Sequence, residues 1–428
     1  MFKSIAHFFS RAVKSPDIRR KLIITAVILF VFRVFAHIPA AGIDRASLSA
    51  LFLGSPLLSL LDVFSGGTLA NFSIMALGLN PYINASIIMQ LLGYVIPALE
   101  ELQKEGEYGQ EKINQYTRIF TVPLAAVQAF GMYSLLRSQG IISIFSPIDL
   151  LALILTMTAG TVFAVWLGEL ITEYGFSNGV SILIFTGIVS RLPIVLFQSA
   201  ASIQAQDLVK MGVFAVIAAA IVGLIVFMNE AVRRVPISYA RRGGKMGVSG
   251  ASSYLPLRLN QAGVIPIIFA VSLVLIPSML TQFLGAANNP KLAGFISALT
   301  TYFSPTSPVY NLVYFALVVG FTYFYTAVVF NPQKISENLQ KNGGFIPGIR
   351  PGGATANYLS FVLNRITLVG AVFLGLIAIL PSVFQNFIGV ANLVIGGTGT
   401  LIVVSVVLEI TRELEAQLVM RRYEGFLK

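Results

Sequence analysis

The sequence predicts an all-α integral membrane protein with ten transmembrane helices. Apolar residues make up 56% of the chain and charged residues only 11%, whereas a soluble domain carries about 25% charged residues. The apolar residues occur in blocks of about twenty, the helix length that crosses a hydrocarbon core of about 30 Å. Lys and Arg residues lie mainly between these blocks, which is typical of a chain whose basic loops orient it in a membrane.

Each apolar block is predicted to be helical, because a lone segment in lipid must satisfy its backbone hydrogen bonds internally. The continuous apolar runs also lack the alternation of barrel strands. No removable signal peptide is predicted, since the basic start is followed by a full-length span without a small-residue cleavage pattern. The ten predicted spans are Leu22–Ile38, Ile74–Pro97, Ile119–Leu136, Leu150–Ile171, Val180–Phe197, Val213–Phe227, Gly263–Leu284, Tyr310–Phe330, Ile366–Val383 and Leu393–Leu408.

The basic residues predict that both termini are cytoplasmic. With a cytoplasmic start, 23 of the 29 Lys and Arg residues fall in inside segments. Arg33 lies within the first span, where its guanidinium is expected to snorkel to the outer interface. One inside loop is an exception, because it carries Glu169 and Glu173 without any Lys or Arg.

The two long inside loops, 230–261 and 331–365, predict a cytoplasmic working surface. Positive-inside bias alone would explain the basic residues at the Gly-flanked turn of the first loop, which are Arg241, Arg242 and Lys245. The second loop contains GGFIPGIRPGG, which holds Arg350 between Pro347 and Pro351 among five glycines. Such a loop is rigid, permits tight turns, and is shaped to present something.

Two features near the second span are unusual for a simple bundle. The apolar segment Leu57–Phe64 is too short to cross a membrane at about 1.5 Å per residue, and its residues alone favour a surface helix over one folded back into the bundle. The second span carries four polar residues, and Pro81 interrupts its helix. These residues are Asn80, Asn84, Ser86 and Gln90. Polar side chains inside a membrane normally face protein or water.

The sequence weakens most enzyme classes. The chain has no cysteine and only two histidines, and no H-E-x-x-H, G-x-S-x-G or complete phosphate loop occurs. We therefore predict no enzyme, metal site or cofactor. A secondary transporter stays open as the alternative function, because its broken helices would resemble Asn80-Pro81. An intramembrane protease is a weaker third hypothesis, since no paired Asp or Ser–His pattern is evident.

Six segments carry a more specific signal, and they fall in order across nearly the whole chain. They are Phe64–Leu92, Trp166–Val189, Leu255–Ala270, Phe324–Gln333, Asn342–Gly352 and Arg365–Ala371. Together they resemble the SecY/Sec61-alpha family, the channel subunits of the Sec protein translocon. The resemblance implies two pseudo-symmetric five-helix halves, 1–197 and 198–428, around a central hourglass pore. It also implies a channel in the inner membrane of a bacterium that translocates unfolded secretory polypeptides and releases apolar segments laterally into lipid.

The resemblance also implies site residues. The pore ring falls on Leu79, Ile83, Val180, Ile184, Ile268 and Ile402. The plug, 57–70, replaces the surface-helix interpretation and includes Leu57, Leu58, Leu60, Leu61, Phe64, Ser65, Gly66 and Gly67. The lateral gate includes Asn84, Gln90, Gly263 and Ile265. A narrow aliphatic ring suits a gasket, because it excludes water when empty and binds no side chain strongly.

The implied partners act mainly at the cytoplasmic loops. Arg241, Arg242, Lys245 and Arg350 match positions where the family docks the SecA ATPase or the ribosome, whose RNA is polyanionic. SecE is expected to clamp the halves, with SecG beside it. The remaining partners are membrane lipids and unfolded preproteins with signal peptides.

Overall fold

The computed structural model describes residues 15–40, 68–69, 71–138, 146–201, 208–239, 253–274, 276–277, 293–304, 307–388 and 397–427. The elements in chain order are α1 (Pro16–His37), α2 (Asn80–Val95), α3 (Pro97–Lys104), α4 (Glu107–Ser138), α5 (Pro147–Tyr174), α6 (Gly179–Ala201), α7 (Leu208–Glu230), β1 (Val232–Tyr239), β2 (Ser253–Arg258), α8 (Ile265–Val274), α9 (Ala293–Tyr302), α10 (Pro308–Val329), α11 (Pro332–Lys341), β3 (Gly344–Phe345), α12 (Gly353–Ile388) and α13 (Gly397–Leu427).

The chain forms two compact units. Unit 1 comprises Met1–Gln204, Ile276–Pro305 and Val390–Lys428, and unit 2 comprises Ala205–Leu275 and Thr306–Gly389. Unit 1 therefore contains α1 to α6 with α9 and α13, and unit 2 contains the three strands with α7, α8, α10, α11 and α12. The predicted halves, 1–197 and 198–428, stay a prediction.

Each of the ten predicted spans contains part of a helix, but the number of spans stays a prediction. In the described part of the chain, three helical stretches are long and apolar enough to cross a membrane: Pro147–Tyr174, Pro308–Lys341 and Gly353–Leu380. A fourth span is possible if α2 and α3, which are bent by 100° at their junction, count as one.

The predicted second span begins later than expected. Residues 74–79 form turns, and the helix starts at Asn80 with Pro81 in its first turn. Pro81 therefore starts α2, and the predicted interruption of a longer helix at this position is wrong. The physical reason is that proline lacks an N–H group, which the first turn of a helix does not need.

Several helices begin with the same local signal, a polar residue followed by proline. Before α5, the Ser146 hydroxyl accepts a hydrogen bond from the Asp149 backbone N–H at 3.3 Å. Before α11, the Asn331 side-chain oxygen accepts from the backbone N–H groups of Gln333 and Lys334 at 3.1 Å. These caps satisfy N–H groups that have no partner within the helix. Ser307-Pro308 starts α10 in the same way.

In unit 1, α5 is the central helix and packs against α1, α2, α4 and α6. Gly160 of α5 allows a close approach, since a Cβ on this residue would lie 2.1 Å from the carbonyl oxygen of Ile74. A buried core joins α4 and α5 to the chain that precedes α2. It includes Leu69, Phe72, Ala76, Leu77, Ala125, Ala129, Met132, Leu136, Leu153 and Met157.

In unit 2, α10 packs against α8 and α12, and the two long loops fold into a three-stranded antiparallel sheet of order β2-β1-β3. The prediction of an all-α chain is wrong for these loops. The missed signal is a period-two alternation of apolar residues in β1 and β2, where Val235 pairs with Leu255. Proline occurs in both strands, at Pro236 and Pro256, which weakens a strand prediction.

The sheet, α11 and the first turns of α12 share one core, and we call this assembly the sheet module. Val235 and Leu257 of the sheet are buried against Leu359 and Leu363 of α12, and Ile346 closes the core after β3. On the opposite face, the Arg234 guanidinium lies 4.9 Å from the ring centroid of Tyr254. The module is thus a small packed domain built from two loops.

The close approach at Gly160 yields a stability prediction. The substitution Gly160→Ala is expected to lower the free energy of unfolding by about 3 kcal/mol, because the added methyl group forces α5 away from residue 74. The matched control is Gly320→Ala in α10, where an added Cβ would meet nothing within 4 Å. This substitution should stabilise the helix by up to about 1 kcal/mol. Denaturant unfolding in detergent, followed by circular dichroism, measures both variants. Equal stability of the two variants would contradict the close approach.

Candidate functional site

Five of the six predicted pore-ring residues lie in unit 1, on three helices. Leu79 precedes α2, Ile83 lies in its first turn, Val180 and Ile184 lie in the first two turns of α6, and Ile402 lies near the start of α13. All but Val180 are buried. Because α5 packs against both α2 and α6, and α6 packs against α13, unit 1 links the three helices that carry these residues.

The sixth ring residue, Ile268, lies half-buried in α8 of unit 2. Val180 is also half-buried, and its Cγ2 atom lies 3.3 Å from the position that a Cβ would occupy on Gly168. All six side chains are aliphatic and offer no hydrogen-bonding group to a passing chain. Their assembly into one ring stays a prediction.

The named plug residues, Leu57 to Gly67, lie outside the described residues. The end of the predicted plug segment is described at Thr68 and Leu69, and both residues are buried. The Ser73 backbone N–H donates to the carbonyl of Thr68 at 3.1 Å, and the Ile74 N–H donates to the carbonyl of Ile38 at 3.0 Å. The chain is therefore firmly held immediately after the predicted plug.

The predicted gate residues lie on α2 and at the start of α8. Asn84 and Gln90 are half-buried on α2, and the side-chain oxygen of Gln90 is buried without a hydrogen-bond partner. Gly263 has a φ of 65°, which a residue with a side chain rarely adopts, and α8 begins two residues later at Ile265. Gln90 thus presents an unused acceptor on a predicted gate helix.

A charged pair that the sequence analysis missed joins α4 to α5. Arg118 Nε lies 2.5 Å from Glu169 Oε1, and Tyr82 of α2 lies within electrostatic range of both groups. This pair explains the acidic exception to the charge pattern, since Glu169 belongs to the end of α5 and has its cation on α4. Opposite charges at matching ends of neighbouring spans were the available signal.

Arg33, the basic residue of the first predicted span, also contacts another helix of unit 1. Arg33 Nη2 donates to the carbonyl oxygen of Thr186 on α6 at 2.5 Å. The half-buried Arg33 therefore contacts a neighbouring helix, and the expectation that its guanidinium reaches the outer interface stays a prediction. A backbone carbonyl inside the bundle solvates the cation, which reduces the cost of placing it in a span.

The predicted docking residues belong to the sheet module and its connecting loop. Arg241, Arg242 and Lys245 lie outside the described residues, in the segment between the end of β1 and the start of β2. Arg350 is exposed in a turn between Gly348 and Gly352, which have φ values of 84° and 95°.

Three contacts hold the turn that presents Arg350. The backbone carbonyl of Arg350 accepts a hydrogen bond from the Thr355 hydroxyl at 2.9 Å. The Ser336 hydroxyl donates a hydrogen bond to the carbonyl of Gly352 at 2.7 Å. The side chain of Ile346 is buried in the module core. Arg350 is therefore exposed on a turn whose backbone is held on both sides, and its role in docking stays a prediction.

The described residues offer no group of three or more His, Asp and Glu arranged to hold a metal ion.

An open groove of about 470 Å³ runs along α5, lined by Leu155, Thr158, Ala159, Val162, Phe163 and Trp166. The Thr158 hydroxyl is buried there without a partner.

The chain is similar to known proteins of one family over most of its length. The family model for SecY matches residues 73–411. The chain is 43% identical over 442 residues to the protein translocase subunit SecY of Streptomyces scabiei, covering 98% of this chain and 99% of the relative. It is 41% identical over 444 residues to the protein translocase subunit SecY of Mycobacterium tuberculosis, with the same coverage.

Solved structures share the fold. One is a SecY channel whose plug domain stabilises the closed state and maintains a membrane seal, with a TM-score of 0.68, 20% identity, and coverage of 94% of this chain and 92% of that chain. Another is Sec61 in the canine ribosome–channel complex from the endoplasmic reticulum, with a TM-score of 0.65, 19% identity, and coverage of 94% and 93%.

Proposed function

The chain belongs to the SecY family, and we propose that it is the channel subunit of a protein translocase. In this function it passes unfolded secretory polypeptides across the membrane and releases apolar segments laterally into lipid. The observation that carries the proposal is the identity of 43% over nearly the full length of a protein translocase subunit. The protein is a channel and not an enzyme, so a partner supplies the energy. The secondary-transporter alternative is not retained, because full-length relatives are translocase subunits.

The proposed architecture has ten spans in two halves, 1–197 and 198–428, around an hourglass pore, with both termini in the cytoplasm of a bacterium. Its support is that each of the ten apolar blocks contains part of a helix. The distribution of basic residues supports the orientation, and the Arg118–Glu169 pair accounts for the acidic exception to it.

We propose that Leu79, Ile83, Val180, Ile184, Ile268 and Ile402 form the pore ring. The links from α2 through α5 and α6 to α13 support a common site for five of them. Branched apolar side chains surround an extended peptide without a specific hydrogen bond, and a narrow apolar ring excludes water when no peptide is present.

The plug and the lateral gate complete the proposed mechanism. The buried Thr68 and Leu69 give residues 57–70 a firm attachment at their C-terminal end, so the rest of the segment can seal the pore and leave it without detaching. On α2, the unpaired oxygen of Gln90 offers an acceptor to a polar group of an opposing gate helix. Such bonds contribute about 0.6 kcal/mol on average in membranes, which keeps gate closure reversible.

The proposed docking surface for the SecA ATPase or the ribosome consists of Arg241, Arg242, Lys245 and Arg350. The rigid sheet module supports it, because the β1–β2 connection and the Arg350 turn both extend from this module. Polyanionic RNA favours exposed cations on an ordered support, since less side-chain and loop freedom is lost on binding. SecE and SecG are the proposed membrane partners, and lipids contact the outer helix faces.

Transport into vesicles tests the channel and the plug together. Proteoliposomes containing this chain and a SecE partner should accumulate protease-protected secretory precursor when SecA and ATP are added. The chain has no cysteine, so Phe64→Cys with Ile83→Cys can form only the introduced disulfide, and oxidation should reduce transport to background by holding the plug against the ring. Phe64→Cys alone is the matched control.

The transport experiment separates two failures. Unaffected transport despite a disulfide verified by gel mobility would contradict the plug assignment. Absence of transport by the unmodified chain, despite confirmed binding of SecA and SecE, would contradict the channel function itself.

The ring is tested by two substitutions on α6 with nearly equal burial. Ile184 is 4% exposed and Ile182 is 3% exposed, and they lie on different faces of the helix. Ile184→Ser should raise ion leak through the resting channel about fivefold, because a hydroxyl helps water to wet the constriction. Ile182→Ser should lower stability without raising leak. Equal leak from both variants would show that Ile184 is not part of the seal.

Arg350 is tested against Lys341, another exposed basic residue of the sheet module. Arg350→Ala should weaken ribosome binding about fivefold and reduce the salt dependence by about one phosphate contact. Lys341→Ala should change binding less than twofold. Affinity is measured by co-sedimentation of the detergent-solubilised chain with ribosomes at several salt concentrations, and identical salt slopes for Arg350→Ala and the unmodified chain would remove Arg350 from the docking surface.

A further inference from the structure

The turn between α5 and α6, residues 175–178, is held by contacts from α1 and α5. A Cβ on Gly175 would lie 2.4 Å from the hydroxyl of Thr25 on α1, so the backbone of the turn lies directly against that helix. Phe176 is buried, and Lys21 Nζ lies 5.9 Å from its ring centroid. The Gly179 backbone N–H donates to the Thr172 hydroxyl of α5 at 2.9 Å. The position of the α6 N-terminus is therefore set by its neighbours.

Ser177 connects this turn to a third helix, α13. Its hydroxyl donates to Oε1 of Glu409 at 2.6 Å. Ser177 has a φ of 55°, an uncommon conformation for a residue with a Cβ. The contacts on both sides hold this conformation, which directs the hydroxyl toward α13. Ser177 is half-buried and Glu409 is exposed. A short hydrogen bond to a carboxylate is stronger than one between neutral groups, although exposure to water lowers its net contribution.

Ser177 and Glu409 each lie within a few helical turns of residues of the proposed pore ring. Glu409 follows Ile402 by seven residues, which is two helical turns, so both residues lie on the same face of α13. Ser177 precedes Val180 by three residues, and Ile184 follows one turn later on α6. The bond therefore joins α13 to the turn before α6 about 10 Å, two helical turns, from Ile402.

We propose that Ser177 and Glu409 are a positioning pair that holds Ile402 in register with Val180 and Ile184 while the channel is closed. The inference rests on the proposed channel function and adds a residue pair to it. Neither residue contacts a substrate in this role. Breaking the bond lets α13 shift against α6, which loosens the seal and lowers the threshold for opening.

Neighbouring side chains of α13 provide contrasting cases. Glu413, one turn further along α13, accepts a hydrogen bond from Gln417 of the same helix at 3.2 Å. Thr411 bonds to the carbonyl of Val407, also within α13. Glu409→Ala removes the acceptor of the Ser177 bond, and Glu413→Ala removes the same carboxylate where its bond stays inside α13, which makes it the matched control.

Three substitutions of Ser177 separate the hydrogen bond from the backbone conformation. Ser177→Ala removes the hydroxyl and keeps the unfavourable φ. Ser177→Gly removes the hydroxyl and relieves the backbone. Ser177→Asn tolerates the positive φ and retains a donor for Glu409. A role of the bond itself requires that Ala and Gly behave alike and that Asn behaves like the unmodified chain.

The test uses the full chain with its SecE partner in proteoliposomes and two readouts. These are ion leak of the resting channel, and SecA-driven transport of a precursor with a defective signal peptide relative to an intact one. Ser177→Ala, Ser177→Gly and Glu409→Ala should each raise both quantities about fivefold. The Ser177→Ala/Glu409→Ala double variant should do no more than either single variant. Ser177→Asn and Glu413→Ala should stay within twofold of the unmodified chain.

Two results would overturn the proposal. Additive effects in the double variant would show that the two residues act independently, and unchanged leak and discrimination in Ser177→Gly and Glu409→Ala would show that the bond positions nothing. If the unmodified chain transports intact precursor, these outcomes reject the positioning pair alone. If it transports none despite confirmed partner binding, the channel function and the inference that rests on it both fail.

Discussion

Backbone hydrogen bonding in lipid is the constraint on which the rest of this structure depends. A backbone N–H or C=O group in the hydrocarbon core finds no water, so it must bond within the protein. Helices meet this requirement along their length, and the Ser-Pro and Asn-Pro starts meet it at several ends. Before α2 the chain is not helical, and there it bonds to another segment instead. The Ile74 N–H donates to Ile38, and the Ala40 N–H donates to Phe72.

The same lack of water governs the charged side chains of unit 1. Arg33 donates to the carbonyl of Thr186, and Arg118 pairs with Glu169. The Arg33 contact joins α1 to α6, and the Arg118 pair joins the consecutive helices α4 and α5, so both contacts stabilise the packing of neighbouring helices. In contrast, Gln90 has a buried oxygen without a partner. If α2 is the lateral gate helix proposed above, this oxygen is an acceptor that a neighbouring helix can bond and release.

The β-sheet forms where the two long loops meet, and its physics is that of a soluble domain. Alternating residues are buried, from Val235 and Leu257 to Ile346, against the first turns of α12. This core converts a glycine-rich loop into a rigid support for Arg350. The protein thus combines two kinds of surface, apolar helix faces suited to lipid and translocating chains, and a small ordered platform suited to charged partners.

The sequence by itself determined the helical membrane class, the approximate position of each apolar block and the family. These depend on hydrophobic length, on basic residues between blocks and on local motifs such as NGGFIPGIRPG, all of which are properties of short segments. Only the tertiary structure decided the sheet built from two loops and the partners of Arg33, Glu169 and Ser177. Each of these joins segments far apart in the chain, for example 232 residues between Ser177 and Glu409. Composition and periodicity describe neighbours along the chain, whereas a hydrogen bond of this kind depends on how folded helices approach one another.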